Sequence, residues 1–216
     1  MRRLTEQAYF TLREGARVIE ADGFGDKVLR LDDGSFLKLF RRKRLLSSTL
    51  LSPCSARFTR NAGLLAERGI PSVTVIETYR IPAIRRTAVH YQPLAGETLR
   101  QVLRDATGDS SGLIRQLGQF MARLHEKGVC FRSLHLGNVV LTPSHELGLI
   151  DIADMRCGRL PLWSRRVLRN FCHLTRSEVD MELLGPALKK QLIEAYCEAS
   201  GRPEAFQVAL EKVLQV

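Results

Sequence analysis

The chain has 216 residues, 44% hydrophobic and 26% charged, with a formal net charge of +10. This composition is typical of a soluble globular protein with one core or two lobes, and it excludes a fibrous or largely disordered chain. No apolar run reaches the roughly 18 residues of a membrane-spanning helix, and "MRRLTEQAYF" lacks the apolar core of a signal peptide. We therefore expect a cytoplasmic protein whose five widely spaced cysteines are reduced.

The first ninety residues carry strand signals around one helix. "RVIEA", "KVLRL" and "SFLKLF" alternate as strands, and Asp33-Gly34 between the last two is a strong hairpin signal. "CSARFTRNAGLLAERGI" predicts an amphipathic helix stopped by Gly69 and Pro71, and "SVTVIETY" and "RTAVHYQ" predict two further strands. The pattern predicts a small antiparallel sheet with one helix over residues 1–92.

The connector "PLAGETL" leads into a mainly helical part, which we predict over residues 93–216. We expect Ser110 or Ser111 to cap the helix "GLIRQLGQFMARLHEK", with Gly128 as its stop. "NVVL" and "LGLID" predict a small hairpin, and "LWSRRVLRNFCHLT" and "PALKKQLIEAYCEA" predict two more helices.

The basic charge is concentrated in short runs: "RRKR" at 41–44, "RR" at 85–86 and "RRVLR" at 165–169. A basic surface attracts nucleic acid, anionic lipid or phosphorylated substrates, although solvated faces explain most such runs. The chain has too few aromatic residues to interleave as base-stacking platforms and shows no recognised nucleic-acid motif. Nucleic acid is therefore not the partner we expect.

Residues 124–141, "LHEKGVCFRSLHLGNVVL", are more polar than a connector requires. They resemble the protein-kinase stretch LHxxGxxHRDLxxxNxxL, and the following "LGLIDIAD" resembles the metal-binding DFG segment. The residues in register are Leu124, His125, Gly128, Arg132, Leu134, Asn138 and Leu141. With the order of elements, the chain is most similar to bacterial lipopolysaccharide core kinases and toluene-tolerance-type proteins, although it has no APE-like segment. The resemblance implies an α+β, two-lobed, protein-kinase-like fold.

The same resemblance implies a site for ATP and Mg²⁺. Lys38 matches the lysine that contacts the α- and β-phosphates, and Asn138 and Asp151 match the magnesium ligands. Gly23 and Gly25 match two glycines of the loop that covers the phosphates, whereas the third glycine of the pattern is a valine. The competing interpretation is structural: a lysine on the solvent face of a strand, a turn asparagine and a strand-end aspartate.

This sequence departs from the family pattern where the chemistry occurs. Ser133 occupies the position of the catalytic aspartate, and Phe131 that of the histidine before it. Asn61 stands at the expected place of the helix glutamate that pairs with the lysine; Glu67 or another acid could compensate, although Glu67 comes a turn or two late. A serine hydroxyl can orient a substrate hydroxyl, but it is a poor base near neutral pH.

Two neighbours of Ser133 are candidates for part of the missing role. His135 lies near the position where kinases often place a phosphate-contacting lysine, and Asp154 follows Asp151 by three residues. The alternative for His135 is a turn histidine bonded to backbone. A hydrolase built from Ser133, His135 and Asp151 is a further alternative, but nothing resembles a nucleophile elbow.

Two functional hypotheses follow from the resemblance. In the first, the protein is an enzyme that transfers phosphate from ATP to a glycan or an anionic glycolipid. Its basic patches would then help peripheral docking at the inner membrane face. In the second, it is a pseudokinase, a nucleotide-binding or regulatory module that has lost the base.

Overall fold

The computed structural model describes residues 1–41 and 53–216. Most of the basic run at 41–44 therefore lies outside the described residues. The described chain is a mixed α+β structure, which confirms the predicted class at that level. It forms two compact units: Met1–Glu67 with Ser72–Leu94, and Arg68–Pro71 with Ala95–Val216. None of the helices in these described ranges is long and apolar enough to cross a membrane.

The first unit is built on a six-stranded sheet with the order β1-β5-β6-β4-β3-β2. The strands are β1 Arg2–Arg3, β2 Arg17–Asp22, β3 Gly25–Arg30, β4 Phe36–Arg41, β5 Thr74–Ile81 and β6 Arg86–Gln92. The hairpin between β3 and β4 forms as predicted, since Gly34 adopts a φ of +80° and Asp33 Oδ1 accepts a hydrogen bond from Ser35 N at 2.9 Å. The five predicted strands of this part are confirmed.

Two details of the predicted sheet are wrong. The described residues of this unit form two helices, because α1 (Glu6–Glu14) precedes the expected α2 (Cys54–Glu67). Thr5 caps α1 by accepting a hydrogen bond from Ala8 N at 3.3 Å. The sheet is also not purely antiparallel, because the short β1 pairs in parallel with β5. Thr5 was a readable cap signal, whereas a two-residue parallel pairing depends on tertiary contacts.

Helices α1 and α2 pack on opposite faces of the sheet. Alternation along β4 sends Leu37 and Leu39 into a buried cluster that also contains Tyr9 of α1. The other face carries Tyr91, whose ring centroid lies 5.3 Å from that of Phe58 in α2. Lys38 alternates with the two leucines, so it lies on the α2 face.

The second unit contains five α-helices and five short strands. The helices are α3 Leu99–Asp105, α4 Ser111–Glu126, α5 Ser164–Leu174, α6 Glu178–Ser200 and α7 Glu204–Leu214. Helices α4 and α6 pack closely at Gly118, where a Cβ atom would lie 2.7 Å from the carbonyl oxygen of Leu192. Helix α6 bends at Gly185, whose φ of 54° and ψ of 177° are non-helical. Neither α3 nor α7 was predicted from the sequence.

The expected cap of α4 is wrong in detail. Ser110 occupies the N-cap position but makes no side-chain capping bond. Instead, Asp109 Oδ1 accepts hydrogen bonds from Ser111 N at 2.9 Å and from Ser111 Oγ at 2.5 Å. Asparagine and aspartate often bond to backbone two residues ahead in this way, so the turn before α4 is an Asx turn.

Two short antiparallel ladders position the polar segment of the second unit. The strands are β7 Glu97–Thr98, β8 Val129–Phe131, β9 Val139–Leu141, β10 Leu147–Leu149 and β11 Met155–Cys157. Strands β9 and β10 form the predicted hairpin, with β7 at the other edge of β9, while β8 pairs with β11. The turn after β8 and the turn after β10 are therefore held from both sides.

Candidate functional site

The turn between β8 and β9 lines an open cavity of about 230 Å³ in the second unit. Ser133, His135 and Asn138 come from this turn, and Asp151 comes from the turn after β10. The structure thus brings together four predicted site residues from two separate stretches of chain. All four belong to the second unit.

Asn138 has a fixed side-chain orientation. It is 7% exposed, and its Nδ2 donates a hydrogen bond to the carbonyl oxygen of Ser133 at 2.9 Å. Since a carbonyl oxygen can only accept, this bond identifies the amide nitrogen and makes Oδ1 the remaining acceptor. The Asn138 carbonyl oxygen also accepts from Ile150 N at 3.0 Å, which ties this turn to the residue before Asp151.

Asp151 has a left-handed backbone conformation, with a φ of 51° and a ψ of 46°. Few residues other than glycine adopt this region, although aspartate and asparagine are enriched there, and such residues cluster at functional sites. The residue is exposed and lies two positions after Leu149, the buried last residue of β10. A carboxylate on this strained turn lines the same cavity as Asn138.

The donor set fits Mg²⁺ bound together with a phosphate ligand. Within residues 1–41 and 53–216, no cluster of three or more His, Cys, Asp or Glu side chains forms a metal site. Mg²⁺ in phosphoryl-transfer sites usually has only one or two protein oxygen ligands, and waters and substrate phosphates complete its octahedron. The Asn138 amide oxygen and the Asp151 carboxylate match that pattern, whereas a metal held by protein ligands alone does not fit.

His135 is neutral at neutral pH. Burial lowers the pKa of its imidazole, and the nearby Arg100 lowers it further. Its Nδ1 lies 3.4 Å from Arg100 Nη2. Because a guanidinium only donates, Nδ1 is the acceptor and Nε2 carries the hydrogen. His135 therefore offers a neutral N–H donor, rather than the positive charge of the lysine that kinases often place nearby.

This tautomer argues against the hydrolase alternative. A triad needs a histidine with a free acceptor nitrogen facing the serine and a carboxylate on its other nitrogen. In the tautomer that the contact with Arg100 favours, Nε2 carries the hydrogen and is not a free acceptor for the proton of Ser133. The geometry favours donation from His135 to an anionic ligand.

Two buried residues that the sequence analysis missed hold the turn in place. Asp180 of α6 is fully buried, pairs with Arg100 Nε at 2.6 Å and accepts from Leu136 N at 2.8 Å. Asn170 of α5 bonds the backbone of Phe131 twice, donating to its oxygen at 2.7 Å and accepting from its nitrogen at 3.0 Å. Asn170 lies on the buried face of α5, and a polar residue there was the available signal.

The rim of the cavity is basic. Arg132 and Arg176 line it with His173, and Arg132 Nη1 lies 3.4 Å from Asp154 Oδ1. Burial lowers the pKa of His173, and Arg176 and Arg132 lower it further. These cations suit an anionic ligand such as a phosphate group. The ion pair also engages Asp154, the carboxylate considered as a replacement base.

Gly23, Gly25 and Lys38 lie in the first unit. Gly25 needs its φ of +103°, and the carbonyl oxygens of Phe24 and Asp26 accept hydrogen bonds from Arg86. Lys38 lies opposite valines of β3 and β6 in the sheet. That these residues share a site with Asn138 and Asp151 stays a prediction.

Helix α2 contains the two residues considered as partners of Lys38, Asn61 and Glu67. Asn61, at the expected place of the glutamate, is fully buried in α2. Glu67 is exposed at the C-terminal end of the helix. The structure therefore gives no support to Glu67 as a buried substitute for the glutamate.

A buried aromatic cluster lies behind the turn. His125 of α4 accepts from the Tyr196 hydroxyl at Nδ1 (3.0 Å) and donates from Nε2 to Asn170 Oδ1 (3.3 Å). Burial lowers the pKa of His125 to about 4 and raises that of Tyr196 to about 12, so both are neutral. Through Asn170, the cluster supports Phe131 at the start of the turn.

We expect acid to destabilise the protein through His125. Its folded pKa of about 4 lies below its ordinary value of 6.5. Above pH 6.5 the group is neutral in both states, but between 6.5 and 4 the unfolded chain binds a proton that the folded chain excludes. The free energy of unfolding should therefore fall as the pH is lowered through this window. NMR titration of the imidazole tests the cause directly, and a His125 midpoint near 6.5 would contradict it.

Comparison with known proteins identifies no family for this chain. No family model matches the chain, and no curated protein matches it. The similarity to protein-kinase-like proteins thus stays an interpretation of the motifs. What the structure itself defines is an α+β protein with a basic, polar cavity between two turns.

Proposed function

We propose that this protein is a kinase-like phosphotransferase of the lipopolysaccharide core kinase type. It would bind ATP with Mg²⁺ and transfer phosphate to a glycan or glycolipid. Its own catalytic loop would be degenerate, because Ser133 replaces the catalytic aspartate. The proposal includes the two-lobed fold, with Gly23, Gly25 and Lys38 contacting the nucleotide from the N-terminal part. A basic protein that acts on an anionic glycolipid would work as a peripheral protein at the cytoplasmic face of the inner membrane.

One observation carries this proposal: Asn138 and Asp151 line a cavity with Ser133, and the Asn138 amide is fixed by the Ser133 carbonyl. In a kinase-like loop, the asparagine and the aspartate that bind metal lie beside the residue that faces the acceptor hydroxyl. In this protein Ser133, Asn138 and Asp151 follow in the same order along the chain, and the last two offer oxygen ligands suited to Mg²⁺. Among these three positions, only Ser133, which faces the acceptor, differs from the kinase pattern in its chemistry.

The roles of the chain's own residues follow from their geometry. Asn138 Oδ1 and the Asp151 carboxylate would hold Mg²⁺, which, when bound, neutralises charge on the transferred phosphoryl group. The His135 Nε2–H donates to a phosphate oxygen without adding charge. The Ser133 hydroxyl orients the acceptor hydroxyl through a hydrogen bond but does not remove its proton.

The pseudokinase is the second candidate, and Ser133 is the observation that favours it. The position that faces the acceptor has no carboxylate, and Asp154 is engaged by Arg132. A protein that kept Asn138 and Asp151 but lost the base would bind nucleotide and regulate a partner. Release of ADP from ATP by the purified protein, with a lipopolysaccharide core oligosaccharide as acceptor, separates the two candidates.

Both candidates predict nucleotide binding that depends on metal. Binding at about 100 times the dissociation constant adds about 2.7 kcal/mol, and each kcal/mol raises the melting temperature by about 2–4 °C at this length. We expect ATP with Mg²⁺ to raise the melting temperature by about 5–10 °C. The rise should be smaller without Mg²⁺ and nearly absent in Asp151→Ala.

Asp105→Ala is the matched control, because Asp105 is an exposed aspartate at the end of α3 in the same unit. It should keep the full shift. A cooperative melt of the wild type with no shift at millimolar ATP and Mg²⁺ would overturn both candidates. An equal shift in the Asp151→Ala variant would remove Asp151 from the site.

A further inference from the structure

The segment between β11 and α5 exposes two large apolar side chains. Leu160 is 78% exposed and Trp163 is 67% exposed, the highest values among the large hydrophobic residues of the described chain. They flank Leu162, which is buried. Exposed apolar residues are common when they are scattered singly, so the surroundings of these two decide whether they belong to an interaction surface.

The loop is held firmly, so this exposure is built into the fold. Leu162 N donates to the His125 carbonyl oxygen at 2.8 Å, and Arg202 donates to the Leu162 carbonyl oxygen at 2.8 Å. Gly158 N donates to the Gly128 carbonyl oxygen at 2.8 Å. Because these bonds fix the backbone at Gly158 and Leu162, presenting Leu160 and Trp163 requires less ordering of the backbone on binding.

The exposed side chains lie in a segment whose charged residues are all basic. Residues 155–177 contain six arginines and no aspartate or glutamate. The arginines that flank the two apolar residues are exposed: Arg159, Arg165, Arg166 and Arg169. The Arg166 guanidinium lies 5.2 Å from the centroid of the Trp163 ring. Burial raises the pKa of Cys130, and the neighbouring Arg166, Arg156 and Arg169 oppose that rise, which indicates that these cations cluster.

We propose that Leu160 and Trp163, with the four arginines around them, form a docking surface for an anionic phospholipid bilayer. Leucine enters the acyl region, tryptophan lies at the headgroup level, and arginines pair with lipid phosphates. The aliphatic Leu160 argues for lipid over nucleic acid, because base stacking uses aromatic faces. This surface lies outside the candidate site and does not depend on phosphoryl transfer. It gives the peripheral membrane contact of the proposed function a location.

Trp163 makes the experiment direct, because the chain has one tryptophan. Vesicles of phosphatidylglycerol and phosphatidylcholine should shift its fluorescence to the blue and sediment the protein. Vesicles of phosphatidylcholine alone should do neither. At about 1 kcal/mol per basic residue near an anionic surface, each Arg→Gln change should weaken binding roughly 5-fold. The double variant Arg165→Gln, Arg166→Gln should thus bind about 25-fold more weakly.

Matched control variants test whether vesicle binding depends on this surface or on any exposed basic or apolar residue. Lys189→Gln with Lys190→Gln removes two charges from α6, and Phe10→Ser removes an exposed apolar side chain from α1. Both should bind like the wild type, whereas Leu160→Ser should bind at least several-fold more weakly. The Asp151→Ala variant should keep vesicle binding even if it loses ATP, so the two proposals fail independently.

Three results would overturn the proposal. The first is the absence of a blue shift with anionic vesicles at low salt. The second is an equal loss of binding in the control variants. The third is a fluorescence change with a single-stranded oligonucleotide at concentrations where vesicles have no effect, which would assign the surface to nucleic acid.

Discussion

Ser133→Asp is expected to raise the rate of phosphoryl transfer by up to about 10²–10⁴-fold, the usual contribution of general-base catalysis. The carbonyl oxygen of residue 133 would still accept from Asn138, so the metal ligands should keep their positions. The new carboxylate would face the acceptor hydroxyl and could accept its proton. The measurement is transfer of labelled phosphate from ATP with Mg²⁺ to a lipopolysaccharide core oligosaccharide.

Ser133→Asn is the control for this change, because asparagine has the shape of aspartate but cannot act as a base. It should leave the rate near that of the wild type. The melting-temperature shift with ATP should persist in both variants, because Asn138 and Asp151 are unchanged. No gain in Ser133→Asp, in a protein that still binds ATP, would contradict the idea that the base is the missing part.

Asp180→Ala is expected to lower the free energy of unfolding strongly, because it leaves Arg100 without its buried partner. Breaking a buried ion pair by removing one partner costs about 3–5 kcal/mol. The lower end applies here, because the Arg100 side chain keeps 29% of its surface exposed. At about 2–4 °C per kcal/mol, the melting temperature should fall by about 6–12 °C. The amide of Leu136 loses its acceptor, so its hydrogen exchange should accelerate.

An exposed ion pair in the same unit provides the comparison. Arg115 and Glu198 lie 3.1 Å apart with side-chain exposures of 48% and 70%. Exposed pairs contribute about 1 kcal/mol or less, so Glu198→Ala should change the melting temperature by only a few degrees at most. Equal losses in Asp180→Ala and Glu198→Ala would show that Asp180 does not hold the turn.

Much of the local structure was determined by patterns that act over a few residues. The hairpin at Asp33-Gly34 formed because glycine readily adopts the positive φ that its turn needs. The α4 helix and the β9–β10 hairpin followed from their apolar periods and stop signals. The polar turn at 131–138 was also recognisable from the sequence, since its side chains exceeded what a connector needs.

The tertiary structure decided what supports that turn and how its residues are charged. Asp180 and Asn170 lie about forty residues or more from the backbone groups that they bind, so no local pattern could assign them. The neutral state of His135 results from burial and from Arg100, which approaches through folding alone. Residue type and spacing determine which groups the chain can offer. Burial and long-range contacts determine which of those groups are oriented, charged or exposed, because both depend on how distant segments pack.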